Sequence, residues 1–367
     1  MSEEQAGNPA PEEQTGARLS RRTFLRLTAV GAGAVMLGGL LEACKGAYVP
    51  SEAPTTAATP TPAPATPGAT PTVAAATEAA ASATAAATPA ASATVSGSGF
   101  PDLVVASDGE PEALVRAAVA AIGGMGRFVK KGQTVVVKPN ICVADRSYDL
   151  AATTNPWVVG TVVKMAMEAG AKNVRVFDNP FSGSAAEAYA TSGIGEQVKA
   201  AGGQMVVMSE RGYVKKTVKG SKWLPDVELY QEILDADVVI NVPLVKDHSL
   251  ARMTAGLKNM MGMVADPAAM HVDMDRNIPN VYALIKPHLT VVDCVRVLTS
   301  GGPEGGNPAW VKKLDKVLVS TDPVAADTYA AGLLGVKLDD LAYLTHAQSI
   351  GLGYADLSKV AIKEVSA

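Results

Sequence analysis

Three basic side chains, Lys246, His248 and Lys258, lie within thirteen residues of one another. They do not recur with the spacing of an exposed helix face, so the pattern indicates an anionic ligand. An unperturbed histidine has a pKa of about 6.5, which suits proton transfer. We therefore predict His248 and Lys246 as catalytic residues, and Lys258 and Asn259 as ligand-binding residues. The alternative is a structural segment, since its methionines are typical of core packing.

Lys138 and Asn140 flank a proline directly after a run of valines that predicts a strand. Lys138 would pair with an anion, and Asn140 would fix the orientation of that anion. In the alternative interpretation, Asn140 only hydrogen-bonds the backbone of its loop.

Four glycines surround a proline and a glutamate between residues 301 and 306. Glycine permits positive φ and a close approach of backbone to ligand, so Gly301 and Gly302 are predicted to contact the ligand. The loop either closes the site or simply connects two strands.

A second histidine, His271, lies downstream of His248. Two imidazoles and one strand-end carboxylate, from Asp178 or Asp293, are typical ligands of a divalent metal, so these four residues form a candidate metal site. The spacing is not diagnostic, and a histidine near an aspartate is often an ordinary surface residue.

The chain has three cysteines, Cys44, Cys142 and Cys294, and no C-x-x-C pair. This pattern excludes a disulfide-rich scaffold, and it predicts that no iron–sulfur cluster is ligated by this chain alone. Cys142 and Cys294 each follow a predicted strand end, so the sequence leaves open whether they pair.

Short runs of valine and isoleucine alternate with segments of helical period, which predicts an α/β fold with a mainly parallel sheet covered by helices. The predicted strands span 103–106, 134–138, 173–178, 204–208, 237–241, 289–293, 316–320 and 360–362. The predicted helices span 111–122, 156–169 and 323–334, each with a proline at its first position.

Polar residues follow five of these strands, after residues 137, 177, 240, 292 and 319. Ligands of open α/β sheets bind outside the carboxyl ends of the strands. The five ends would form one polar rim if they share a sheet edge.

The N-terminal residues 1–43 have the features of an export signal. Arg21 and Arg22 precede a stretch of fifteen residues that contains four glycines, which is too short and too weakly apolar to span a bilayer. The paired arginines resemble a twin-arginine signal, and the segment ending at Cys44 resembles a lipobox. We therefore predict lipidation of Cys44 and a position on the outer face of the cytoplasmic membrane or in the periplasm.

Residues 44–99 are dominated by Ala, Thr and Pro, a composition that predicts a disordered linker. The remaining residues, 100–367, would form the folded domain. Its sequence has no basic stripe, and the whole chain carries a net charge of −4, so we expect no nucleic-acid partner.

Several segments together resemble the domain of unknown function 362 (DUF362) family, some of whose members are fused to iron–sulfur ferredoxin modules. The resemblance is carried by residues 137–140, 153–156, 169–171, 235–243, 246–248, 257–262, 271, 301–303 and 322–327. Asn155, within one of these segments, joins the predicted ligand-binding residues and is also placed to cap a helix. The resemblance implies a fold and a site but no reaction.

The sequence therefore predicts an exported protein, tethered to the lipid bilayer through Cys44, that binds a small anionic molecule at the carboxyl rim of a sheet. Whether the protein is an enzyme is left open. The alternative is a non-catalytic binding or redox-accessory protein that works with an iron–sulfur partner protein.

Overall fold

A computed structural model describes residues 99–367. The predicted signal peptide, the predicted lipidation site Cys44 and all but the last residue of the predicted linker lie outside the described residues. The strands are β1 Leu103–Ser107, β2 Thr134–Pro139, β3 Asn173–Val176, β4 Gln204–Met205, β5 Tyr213–Thr217, β6 Asp226–Tyr230, β7 Val238–Val242, β8 Leu244–His248, β9 Arg252–Thr254, β10 Leu289–Leu298, β11 Val311–Ser320 and β12 Ile362–Ser366.

Ten of these strands form one mixed sheet, with the order β12-β1-β11-β10-β7-β2-β3-β4 and with β8 and β9 extending from β10. The neighbours from β10 through β7, β2 and β3 to β4 all pair in parallel. Strand β11 is antiparallel to both β10 and β1. The prediction of a mainly parallel sheet is confirmed, and β5 and β6 form a separate antiparallel pair.

Helices cover both faces of the sheet. They are α1 Pro111–Ala121, α2 Pro156–Glu168, α3 Ala185–Thr191, α4 Ile194–Ala200, α5 Gln231–Asp235, α6 Gly256–Asn259, α7 Met274–Ile285, α8 Pro323–Leu334 and α9 Ala342–Ser349. The three predicted helices correspond to α1, α2 and α8 and end within one residue of their predicted bounds. Among residues 99–367, no helix is both long and apolar enough to cross a bilayer.

Alternate residues of the central strands enter two separate cores. In β2, Val135 and Val137 pack with α1 to α4, whereas Val136 packs with the core that contains α7, α8 and α9. The same alternation divides Val239 from Ile240 in β7. A continuous apolar run is therefore buried on both faces, as is typical of a covered parallel strand.

The predicted polar rim holds for four of its five strand ends. The segments that follow β2, β3 and β7, together with Asp293, lie at the same edge because these strands are parallel. The fifth prediction is wrong: Ser320, at the end of β11, pairs with Thr290 and Leu103 at the opposite edge. The pattern of valines in β11 does not encode its direction, which only the pairing of strands determines.

Four predicted strands differ clearly in extent: β11 begins at Val311 instead of residue 316, β12 spans Ile362–Ser366 instead of 360–362, and β10 and β4 differ in length. Strand β10 continues five residues beyond Asp293, because β8 takes over from β7 as its parallel neighbour at that level. Strand β4 has only two residues, whereas the sequence predicted five.

Candidate functional site

Three lysines on different elements lie buried near the carboxyl edge of the sheet. Lys138 belongs to β2, Lys246 to β8 and Lys258 to α6. Their exposed fractions are 1 %, 1 % and 9 %, so each side chain has lost most of its contact with water. We call these three residues the lysine cluster, and the repulsion between their charges acts on the pKa of both Lys138 and Lys258.

Lys138 is the lysine with an acidic partner. Its Nζ lies 2.9 Å from Asp178 Oδ1 and donates a 2.8 Å hydrogen bond to Asn259 Oδ1. Burial lowers the pKa of Lys138, while the adjacent Asp178 carboxylate opposes that shift. Gly262 allows this ion pair to form, because a Cβ atom there would lie 2.3 Å from Asp178 Oδ1.

Lys246 is held by a backbone oxygen and a thiol. Its Nζ donates a 2.9 Å hydrogen bond to Ala152 O and lies 3.1 Å from Cys142 Sγ. Cys142 and Cys294 are both free and buried, so the disulfide that the sequence left open is not formed. Cys142 instead lies against Lys246 of the lysine cluster. The sequence did not predict this contact, although Cys142 follows Asn140 by only two residues.

Lys258 differs from the other two lysines. Within residues 99–367, its ammonium group has neither a hydrogen-bond partner nor an ion-pair partner. Burial lowers the pKa of Lys258 to about 7, and the charges of Lys246 and Lys138 act in the same direction. Part of the Lys258 population is therefore neutral at physiological pH.

His248 lies beside the lysine cluster as a neutral imidazole. Its Nδ1 accepts hydrogen bonds from the backbone N–H groups of Leu250 and Ala251, both at 3.2 Å, so Nε2 carries the proton. Burial, followed by the charges of Lys258 and Lys246, lowers the pKa of His248 to about 2. The direction of this shift runs against the ordinary histidine pKa expected from the sequence, and it favours His248 as a neutral hydrogen-bond donor.

The structure brings the two histidines together without the predicted carboxylates. The ring centroids of His248 and His271 are 6.5 Å apart. Asp178 pairs with Lys138, whereas Asp293 accepts backbone hydrogen bonds from Asn155 and Val295, and burial raises the pKa of Asp293 to about 6. The described residues contain no group of three His, Cys, Asp or Glu side chains that could hold a metal ion. The four predicted ligands therefore do not form a metal site together.

Asn259 connects the strand ends that surround the cluster. Its Oδ1 accepts hydrogen bonds from Lys138 and Asn140, and its Nδ2 donates to Asn241 Oδ1 at 2.8 Å. These bonds occupy its polar atoms, so Asn259 positions the site instead of offering free groups to a ligand. Asn155 likewise caps α2 through Oδ1, which leaves that oxygen engaged in the helix.

Three buried oxygen atoms near the cluster have no hydrogen-bond partner among the described residues: Asn140 Oδ1, Thr153 Oγ1 and Thr254 Oγ1. Thr254 pairs with Lys246 across β8 and β9, and Thr153 bridges to Ile141 just beyond β2. Buried polar atoms are nearly always hydrogen-bonded, so these oxygens are available to a polar molecule bound here. Sequence reasoning had identified Asn140 but not Thr153.

The glycine-rich loop packs on β8. Gly302 N donates a 3.0 Å hydrogen bond to Asp247 Oδ2, and a Cβ atom at Gly302 would lie 1.7 Å from Asp247 O. Pro303 O lies 3.7 Å from Cys142 Sγ, so the loop reaches the edge of the lysine cluster. At Gly301, φ is +68°, a conformation that favours glycine.

Asp327, on α8, holds α6 in place within the core that the two helices share. Its carboxylate accepts hydrogen bonds from Gly256 N at 2.6 Å and Leu257 N at 3.0 Å. Sequence reasoning missed this role, because the contact joins residues 71 positions apart in the chain. Asp327 thereby determines where the next residue of α6, Lys258, lies.

An open groove of about 1070 Å³ lies at the other end of the sheet, beside β4, α3 and α4. Arg175 and Lys199 are among its lining residues, but none of the predicted site residues reaches it. We therefore place the candidate site at the lysine cluster, where charged and unpartnered polar groups converge.

A parallel-rich α/β sheet with buried lysines at its carboxyl edge defines a domain with a candidate anion site. The family model for the domain of unknown function DUF362 matches residues 135–332, a segment that contains the whole lysine cluster. The chain belongs to the DUF362 family.

A curated relative is a thylakoid-associated protein of Synechocystis sp., which is 28 % identical over 256 residues, or 66 % of this chain and 74 % of the relative. Among solved structures, the lactate racemase apoprotein of Thermoanaerobacterium thermosaccharolyticum is similar with a TM-score of 0.41 and 12 % identity, over 63 % of this chain and 56 % of that one. A Thermotoga maritima protein is similar with a TM-score of 0.36 and 13 % identity, over 61 % of this chain and 58 % of that one. This chain spans just over half the length of each of these two solved structures.

Proposed function

We propose that this DUF362 protein binds a small anionic molecule at the lysine cluster. The observation that carries the proposal is that three buried lysines have only one ion-pair partner, Asp178, among the described residues. Burying an uncompensated charge costs several kcal/mol. A bound anion would supply the missing negative charge and offset that cost.

The residues have distinct parts in this binding. Lys138 is held by Asp178 and Lys246 is held by Ala152 O, so the two ammonium groups lie at defined positions in the site. Lys258 has no partner and is free to contact the anion directly. The unpartnered oxygens of Asn140 and Thr254 would take hydrogen bonds from the polar parts of the same molecule.

We also propose that the domain works at a membrane surface. Arg21 and Arg22 would direct export by the twin-arginine route, and lipidated Cys44 would anchor the chain. The Synechocystis relative is named a thylakoid-associated protein, which supports this location.

The test is calorimetric titration of the purified protein with two probes, inorganic phosphate and oxamate. We expect at least one probe to bind, and Lys246→Met to weaken that binding by about tenfold or more, since the variant removes a buried charge. Lys363→Met is the matched control, because Lys363 is an exposed lysine on β12, far along the chain from the cluster.

Thermal unfolding of each variant separates lost binding from lost folding. Equal affinities of the folded Lys246→Met and Lys363→Met proteins would overturn the proposal. Failure of both probes to bind the wild-type protein would overturn it as well.

A further inference from the structure

Lys258 has the features of a nucleophilic amine as well as those of an anion-binding group. It lies in the turn of α6, with 9 % of its surface exposed, which is the largest fraction in the lysine cluster. Lys138 is tied to Asp178 and Asn259, and Lys246 is tied to Ala152 O. Lys258 is therefore the cluster member whose amine is not engaged by a described residue.

We infer that Lys258 forms a covalent imine with the carbonyl carbon of a small oxo acid, whose carboxylate is bound by the other two lysines. The inference rests on the proposed function and gives the anion a chemical class. An oxo acid combines the two groups that the site can use. Its carboxylate offsets the charge of Lys246, which has no acidic partner, and its carbonyl offers an electrophilic carbon to the free amine.

The step balances without another reactant. The lone pair of the Lys258 amine forms a C–N bond, and the π electrons of the carbonyl move to its oxygen, which takes up a proton. That oxygen then leaves as water while a C=N bond forms. The net change converts one lysine ammonium group and one carbonyl into one protonated imine and one water molecule.

The surroundings of Lys258 favour the neutral amine that this step requires. Lys246 and Lys138 repel its proton, and burial lowers its pKa in the same direction, to about 7. Cys142 acts in the opposite direction and raises the pKa of Lys258. The charge of Lys258 in turn lowers the pKa of both His248 and His271. A lysine with its ordinary pKa of about 10.4 would be almost fully protonated at pH 7.

Cys142 is a less suitable nucleophile in the same cluster. Its Sγ contacts Ala152 O at 3.2 Å and lies against Lys246 Nζ, so both the sulfur and its proton have partners. Formation of a covalent adduct on Cys142 would contradict the assignment of the reactive group to Lys258.

The experiment traps the imine by reduction. Purified protein is incubated with pyruvate and sodium cyanoborohydride, and intact mass and peptide mapping locate the adduct. We expect one reduced adduct per chain, on Lys258. Oxamate is the matched probe, because it has the size and charge of pyruvate but an amide in place of the ketone, and it should leave no adduct.

Two variants and a pH series sharpen the test. Lys258→Arg should lose the adduct, and Lys363→Arg should retain it. The initial rate should rise about fivefold from pH 6 to pH 7 and less than about twofold from pH 7 to pH 8, because the amine titrates near pH 7. At an ordinary exposed lysine, the initial rate of adduct formation would instead rise about tenfold from pH 6 to pH 7 and again from pH 7 to pH 8.

The outcomes distinguish this inference from the proposed function. Oxamate binding without a pyruvate adduct would leave the anion site standing and overturn the imine. Absence of both binding and adduct would overturn both. An adduct spread over exposed lysines, or retained in Lys258→Arg, would overturn the assignment of Lys258.

Discussion

At the scale of single residues, the unusual feature is a buried lysine at a position where an apolar side chain would cost less free energy. The charges of Lys246 and Lys138 both lower the pKa of Lys258, and no carboxylate among residues 99–367 forms an ion pair with it. Ordinary selection for stability would replace such a side chain, so its presence is typical of a functional site that lowers the stability of the unliganded protein.

Replacement of Lys258 by Met should therefore stabilise the unliganded protein, by about 2–4 kcal/mol at pH 6. The folded-state pKa lies near 7 and the unfolded-state value near 10.5, so unfolding takes up a proton between these pH values. The free-energy cost of burying the charged Lys258 in the wild-type protein is complete below pH 7 and disappears as the pH rises toward 10.5. Urea unfolding of both proteins at pH 6 and pH 10 measures this difference, and an equal gain at the two pH values would contradict the argument.

At the scale of elements, a four-residue helix carries the reactive lysine. A helix as short as α6 has little stability of its own, so other elements must hold it. Asp327 of α8 accepts two N–H groups at its start, and Asn241 of β7 donates to Gly256 O at 2.8 Å. The position of Lys258 thus depends on both a strand end and the helix α8, which packs in the same core as α6.

Asp327→Ala should destabilise the protein by about 2–4 kcal/mol, because two buried N–H groups lose their acceptor. The same variant should weaken oxamate binding, since α6 would no longer hold Lys258 in place. Chemical unfolding and calorimetry measure the two effects. Asp339→Ala changes an exposed aspartate and should alter neither, so similar results for the two variants would argue against the positioning role.

At the scale of the whole molecule, the parallel strands bring distant segments to one edge. Lys138 and Lys258 are separated by more than a hundred residues along the chain. Lys138 nevertheless donates a hydrogen bond to Asn259, the residue after Lys258, and the charge of Lys138 lowers the pKa of Lys258. Lipidation of Cys44, as proposed above, would attach the same domain to a membrane surface.

Cys44→Ser should release the exported protein from the membrane, because a chain without the lipidated cysteine has lost its anchor. The double variant Arg21→Lys, Arg22→Lys should instead retain the protein in the cytoplasm. Cell fractionation with immunodetection distinguishes these locations. Membrane attachment that survives Cys44→Ser would show that the anchor lies elsewhere.

The sequence allowed much of the fold to be predicted and only part of the site. Proline at the first turn and a capping residue before it located α2 and α8, because helix starts depend on local chemistry. The strands β8 and β9 and the helix α7 were not predicted, since their formation depends on tertiary pairing, and Pro279 lies inside that helix.

By itself, the amino-acid sequence determined the mainly parallel α/β class and the family resemblance, and it identified the three lysines as candidates, because period, capping and motif are local properties. Tertiary structure alone decided that β11 runs the opposite way, that His248 is neutral and that Asp178 and Asp293 have other partners. These outcomes depend on burial and on contacts between distant residues. A residue's charge and availability are set by its neighbours in space, and the order of residues along the chain does not specify those neighbours directly.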